Sequence, residues 1–186
     1  VEQELVSGFK QQSVPYIDRR LEDEWDVLAM AQHHGLATRL LDWTSNPLAA
    51  LWFAVRDEPA TEDWAPEDGV VCFFAPTESD FGDRTVSPYT TRSTKFFRPS
   101  HLNARIVAQQ GWFSVHAYQP KHGRFSRLER LHAFKSRLKY IRVPAARFPD
   151  LRAELDRLAI NHATMFPGLD GLSRHLNSSF SLMSDE

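Results

Sequence analysis

Cysteine is almost absent from this 186-residue chain. Cys72 stands alone, which excludes an intrachain disulfide and a zinc site built on cysteines, and fits a cytoplasmic protein. No apolar run approaches the ~20 residues that a membrane-spanning helix needs, and no signal-peptide pattern opens the chain, so no membrane association is expected. Glycine-rich phosphate loops are missing too, since neither G-x-G-x-x-G nor a Walker pattern occurs. There is no G-x-S-x-G, and Cys72 sits inside an apolar run between Val71 and Phe73, so hydrolysis through a Ser or Cys nucleophile has little support. A helical His-x-x-x-His pair is absent, and no metal is expected.

What remains is globular material: 42% hydrophobic, 12% aromatic and 25% charged, with 13 Phe and 5 Trp. The length suits one domain with a sizeable core. A net charge of -2 hides a strong asymmetry. Between Arg92 and Arg147 stand 13 Lys/Arg against the single acid Glu129, which leaves 9 bases and 23 acids elsewhere. Clustered arginine suits phosphate because the guanidinium fork is planar and bidentate. The 92–147 segment therefore points to a polyphosphate or a nucleic-acid strand, unless its bases pair internally with the acidic remainder.

Periodicity predicts a weak helix over Glu2–Lys10. It predicts a stronger one over Leu21–Gln32, with Leu21, Trp25, Leu28 and Gln32 on one face and Gly35 as its stop. Thr38–Thr44 reads as a short buried strand. Asn46-Pro47 reads as an N-cap with proline at the first helical position, opening an apolar, buried helix from Leu48 to Val55. Asp57–Gly69 is an acidic loop, Val70–Phe74 a core strand and Ala75–Ser100 a long irregular stretch. Ile106–Ala108 and Trp112–His116 read as two strand pieces broken at Gly111. Lys139–Val143 is another strand, and Phe148–Ala159 a helix with Leu151, Leu155 and Leu158 inward. A turn over 166–171 feeds a last short helix through His175. These elements make one α+β domain.

Two polar constellations stand out. Gln32-His33-His34 with Arg39, Asp42, Trp43 and Thr44 occupies a helix–turn–strand corner, where Arg39 and Asp42 serve either a site or a structural ion pair or cap. Asn103 to His116 carries Arg105, Gln109, Trp112 and His116. On a strand, Arg105, Val107 and Gln109 would share one face, lining a cleft or simply meeting solvent.

At these clusters the sequence resembles the FRG domain family, named for an N-terminal (Phe/Tyr)-Arg-Gly motif. The resemblance rests on the stretch Gln32 to Ala54, with Arg105-Ile106, Gln109-Gln110-Gly111, Phe113, His116 and Phe166-Pro167-Gly168-Leu169-Asp170-Gly171-Leu172 in support. Ala37 stands where the family more often has Pro. The naming motif and its strand are expected upstream of residue 1. A weaker, fold-level resemblance links strand 38–44, its Thr44-Ser45 turn and the helix with Ala50 and Phe53-Ala54 to the ADP-ribosyltransferase core.

That resemblance implies a split β-sheet with flanking helices and an NAD-dependent transfer of ADP-ribose to DNA or RNA in a toxin or defence setting, with an antitoxin or hydrolase counterpart. It implies that His33 or His34 orients ribose or substrate and that Arg39 and Arg105 hold the pyrophosphate. Trp43 or Trp112 would stack nicotinamide or a base, with Thr44 as hydrogen bonder and Gln32, Gln109 and His116 completing the NAD site. The transferase pattern wants Glu where this chain has Asn103 or Arg105, so Asp42, Asp170 or Glu129 would take that role. The alternatives are a non-catalytic module binding a nucleotide or single strand through the basic segment and Phe96, Phe97, Trp112 and Phe113, and an interaction domain for an acidic protein.

Overall fold

Four short polar side chains set the helix starts. Asp23, Asn46, Asn103 and Asn161 each accept a hydrogen bond from a backbone N–H two or three residues on. These donors have no partner inside the helix, so the cap fixes where each helix begins. The computed structural model describes residues 1–17, 21, 23–56, 67–100 and 103–180. Helices and strands mix in an α+β fold. By contacts the chain divides into two compact units, each assembled from three stretches of sequence.

The first unit comprises Val1–Trp43, Phe74–Leu102 and Gly111–Leu138. It contains α1 (Glu2–Gln12), α2 (Glu24–His33) and a three-stranded sheet in the order β1 (Leu40–Thr44), β4 (Gly111–Val115), β3 (Lys95–Phe97). β3 and β4 are antiparallel, with Phe96 opposite Ser114 and Phe97 opposite Phe113. Alternation sends these pairs to opposite faces. Phe97, Phe113, Val115 and Leu40 pack with Val6, Trp25 and Leu28 from the helices. Phe96 turns the other way, against Leu128, Phe134, Trp43 and Phe74. A small hairpin, β5 (Tyr118–Gln119) and β6 (Arg124–Phe125), and the short α5 (His132–Lys135) complete the unit.

The second unit comprises Thr44–Phe73, Asn103–Gln110 and Lys139–Glu186. It holds α3 (Pro47–Val55), α4 (Ala104–Ala108), α6 (Phe148–Arg157), α7 (His162–Met165) and α8 (Leu169–Phe180), and most of the ribbon that pairs β2 (Gly69–Phe74) with β7 (Leu138–Val143). Ala49, Trp52, Val55, Val71, Val143, Phe148, Leu155 and Met165 form its core.

Several expectations are corrected. Ile106–Ala108 belongs to helix α4, not to a strand, because Asn103 caps it through the Ile106 N–H. The shared strand face of Arg105, Val107 and Gln109 therefore does not exist. Thr38–Thr44 is only partly buried, since Leu41 and Asp42 are exposed on β1. Only one face of α3 is buried, and β2 buries Val71 but exposes Val70 and Phe73. Leu158, expected inward, is 60% exposed beyond the end of α6. The last helix runs on to Phe180. Most of the expected 57–69 loop lies outside the described residues.

Candidate functional site

In the first unit, α2 ends at His33 and Gly35 takes a positive φ of 85°, which turns the chain toward β1. The His33 and His34 rings meet edge to face, 4.9 Å apart, and His34 stacks on Phe9. Gln32, in the last turn of α2, ties the helix to the chain beyond it: its Oε1 accepts the Thr38 hydroxyl at 2.6 Å, and that hydroxyl oxygen accepts the Leu40 N–H. His34 and Leu36 also line a groove of about 780 Å³ along α1, with Leu5, Phe9, Tyr16 and Ile17.

Arg39 does not pair with Asp42. Its Nε and Nη2 both reach Glu2 Oε2 at 2.7 Å, and its backbone N–H donates to Glu2 Oε1 at 2.6 Å. The guanidinium carbon is 5.1 Å from the Tyr89 ring centroid and 5.3 Å from that of Phe125. Side-chain exposure is 9% for Arg39 and 15% for Glu2, so the pair is nearly out of solvent. Burial, and then the carboxylates of Glu2 and Glu24, push the Tyr89 hydroxyl up to about 12. Tyr89 is thus a neutral phenol at any physiological pH.

A second network runs through β1 and β4. Trp43 Nε1–H donates to Ser114 Oγ at 2.9 Å, and Ser114 Oγ lies 2.9 Å from His116 Nε2. His116 Nδ1 is 2.9 Å from the Ser126 carbonyl oxygen, which can only accept. That fixes the proton on Nδ1 and makes Nε2 the acceptor of the Ser114 hydroxyl. Ser114 and His116 are both buried. Burial holds the imidazole below its ordinary pKa, partly opposed by the Ser126 carbonyl, so it is a neutral ring. This chain locks Trp43 to β4, and Trp43 packs edge-on against Phe96. Trp112 packs against Phe81, with Arg98 6.0 Å from its ring centre.

Three of the expected residues, Thr44, Arg105 and Gln109, belong to the second unit. Thr44 Oγ1 donates to the Gln109 carbonyl at 2.6 Å and accepts the Asn46 N–H. Gln109 Nε2 donates to the Met165 carbonyl. The Arg105 guanidinium stands 4.4 Å from the centre of the Phe166 ring. Sequence reasoning overlooked Arg56, which faces the rings of Trp52, Phe53 and Phe166 at 5.7, 5.1 and 5.9 Å. Thr44, Arg105 and Gln109 are thus gathered by the turn around Phe166, whereas His33, His34, Arg39 and Asp42 belong to the first unit.

The basic window separates into two classes. Arg137 forks onto Asp80, Arg142 pairs with Asp68 and Arg147 with Asp150, so these are internal. Lys121, Arg124, Arg127, Arg130 and Lys135 are all exposed, and none makes an ion pair with a described residue. Over Lys121–Lys135 the only acid is Glu129, and His122 and His132 are exposed beside them. The hairpin brings Tyr118 against Phe125, with ring centres 5.3 Å apart, and leaves the two 47% and 37% exposed. The aromatics expected to stack on a ligand are mostly core: Phe96, Phe97 and Phe113 are each at most 5% exposed.

Among the described residues no group of His, Cys, Asp and Glu could hold a metal ion, and no helix is long and apolar enough to cross a membrane. No curated protein and no solved structure matches the chain. The model of the FRG domain matches residues 1–78, a stretch that includes the His33–His34 corner, Arg39, Asp42 and the Asn46 cap. Over residues 1–78 the chain is similar to the FRG domain.

Proposed function

We propose that this protein binds a nucleic-acid strand through the surface that runs from Lys121 to Lys135. One observation carries the reading: Lys121–Lys135, around the β5–β6 hairpin and α5, holds five exposed Lys/Arg side chains, none in an ion pair with a described residue, and Glu129 is the only acid in that stretch. Exposed cations without intramolecular partners remain hydrated, and a polyanion gains affinity by releasing its own counterions to them. Tyr118 and Phe125 add exposed ring surface, which favours an unpaired strand whose bases stack.

The test is fluorescence anisotropy of a labelled single-stranded oligonucleotide across a series of salt concentrations. Five phosphate contacts on a single strand give a slope of log K against log salt of roughly -3.5. Replacing Arg124, Arg127 and Arg130 together by Gln reduces that slope by about 2. Absence of binding by the wild type, or an unchanged slope in the triple variant, overturns the reading.

A second reading is NAD-dependent transfer of ADP-ribose to the bound strand. It is favoured by the convergence of Thr44, Arg105 and Gln109 at the Phe166 turn, because these come from the stretches on which the family resemblance rests. In that reaction the bond from ribose C1′ to the nicotinamide nitrogen breaks, a bond from C1′ to an acceptor atom forms, and nicotinamide leaves. Two guanidiniums, Arg56 and Arg105, would hold the pyrophosphate by charge-assisted hydrogen bonds. Incubation with labelled NAD and DNA or RNA tests it. Label on the acceptor that disappears in Arg105→Ala supports transfer, whereas no label and no released nicotinamide leave the protein a binding module.

A further inference from the structure

We propose that a cavity between α1 and α2 binds a small α-amino acid or an equally small zwitterion. The proposal is independent of the strand-binding surface, and every residue it uses lies in the first unit. The cavity has a volume of about 190 Å³, the share of roughly six water molecules. Gln3, Ser7 and Lys10 line it from α1, at the i, i+4 and i+7 spacing that puts side chains on one helix face. Glu24 and Val27 line it from α2, and Tyr89 is a further wall. α1 thus presents a polar stripe to this cavity, while Leu5 and Phe9 line the separate groove described above. A surface helix ordinarily packs through an apolar stripe, yet Val6 is the one buried residue of α1. The polar stripe serves a cavity and not a core.

An orphaned donor gives the second, independent observation. The Tyr89 hydroxyl oxygen is buried and has no hydrogen-bond partner among the described residues. Burial, with the carboxylates of Glu2 and Glu24, keeps its proton in place. A buried donor left unpaired is costly, so the site calls for an acceptor. Lys10 makes no ion pair with a described residue, and its ammonium and the Tyr89 O–H both suit a carboxylate. Glu24 Oε2 accepts the Ser87 hydroxyl, which leaves Oε1 to receive an ammonium. One cation, one neutral donor and one carboxylate around so small a space match a zwitterion. A plain anion would face Glu24, and a plain cation would face Lys10. Val6 and Val27, both buried, add apolar surface that suits a methyl group or another short side chain.

Isothermal titration calorimetry with L-alanine as the probe tests this, with propanoate and ethylamine as its two half-molecules. The wild type binds L-alanine saturably and each half-molecule more weakly by about tenfold or more. Tyr89→Phe removes only the hydroxyl and lowers the affinity for L-alanine by about tenfold. Because it also removes an unpaired buried group, its urea midpoint equals or exceeds that of the wild type. A hydroxyl with a merely structural role would lower the midpoint and leave binding alone. Glu24→Gln weakens L-alanine and not propanoate. The proposal is overturned if L-alanine does not bind, the cavity then holding water alone. It is overturned equally if Tyr89→Phe binds L-alanine as the wild type does, or if propanoate binds as tightly as L-alanine. Should Tyr89→Phe not fold, Lys10→Gln, at an exposed side chain, takes its place: affinity for L-alanine and propanoate falls together, and an unchanged affinity refutes the site.

Discussion

Replacing Ser114 by Ala removes one oxygen and almost no volume, yet it should be costly. That oxygen accepts the Trp43 indole N–H and donates to His116 Nε2. Both partners stay where they are, because Trp43 is packed on Phe96 and His116 is tied to the Ser126 carbonyl. A polar group stranded in this way costs about 1–3 kcal/mol. Two of them give about 2–6 kcal/mol, and the lower half of that range is expected because Trp43 is only half-buried. Urea titration followed by tryptophan fluorescence measures the loss. A double-mutant cycle with Trp43→Phe isolates the shared part, since Phe removes the N–H that Ser114→Ala would strand. The expected coupling is about 1 kcal/mol. A loss below about 0.5 kcal/mol, typical of a neutral surface change, would refute the proton assignment along this chain. The wild type carries a pH signature as well. The folded imidazole binds its proton less readily than the unfolded one, so stability is full above about pH 6.5 and declines as pH falls below it.

Three further outcomes follow from the packing. In Gly171→Ala the new Cβ would lie 2.0 Å from the Phe166 carbonyl oxygen and 2.8 Å from that of His162, both backbone atoms. The start of α8 must move, and thermal unfolding should show a loss of about 1–3 kcal/mol or more. Gly82→Ala would press a methyl to 2.6 Å from the ring of the buried Trp25; a loss of about 1–3 kcal/mol by denaturant titration is expected, with a change in near-ultraviolet dichroism. The Arg137 fork, with the Thr77 N–H and hydroxyl, holds the Asp80 carboxyl well below the usual carboxylate range. Its contribution is full above about pH 3.9 and lost only as pH falls through the lowered folded value. Arg137→Met should therefore be less stable than wild type at pH 7, with the two acid-unfolding curves converging in strong acid.

Local chemistry was readable in the sequence. The Asn46-Pro47 start and the Gly35 stop are decided within a few residues, and the structure has both. Ile106–Ala108 misled because three consecutive apolar residues suit a strand and five residues are too few to show helical period. Its one local signal was Asn103, whose cap sets the helix. Long-range partners were out of reach. Glu2 is 37 positions from Arg39, Asp80 is 57 from Arg137 and Asp68 is 74 from Arg142. Counting charge therefore located the basic window but could not separate its paired arginines from its unpaired ones. Ser114 was invisible for a related reason: a serine inside a strand reads as filler until the indole and imidazole on either side of it are placed.

The interleaving of the two units has a consequence for how the protein is made. The chain passes from one unit to the other five times before it ends. The core of the first unit closes only when Phe113 and Val115 have been added, and that of the second waits for Leu155 and Met165. Through most of synthesis, then, Trp25, Leu28, Trp52 and Val55 have emerged from the ribosome without the side chains that cover them. The 78 residues that the FRG domain model matches include incomplete portions of both units. Contacts that join residues so far apart in sequence form slowly, and apolar surface stays exposed for longer while they do.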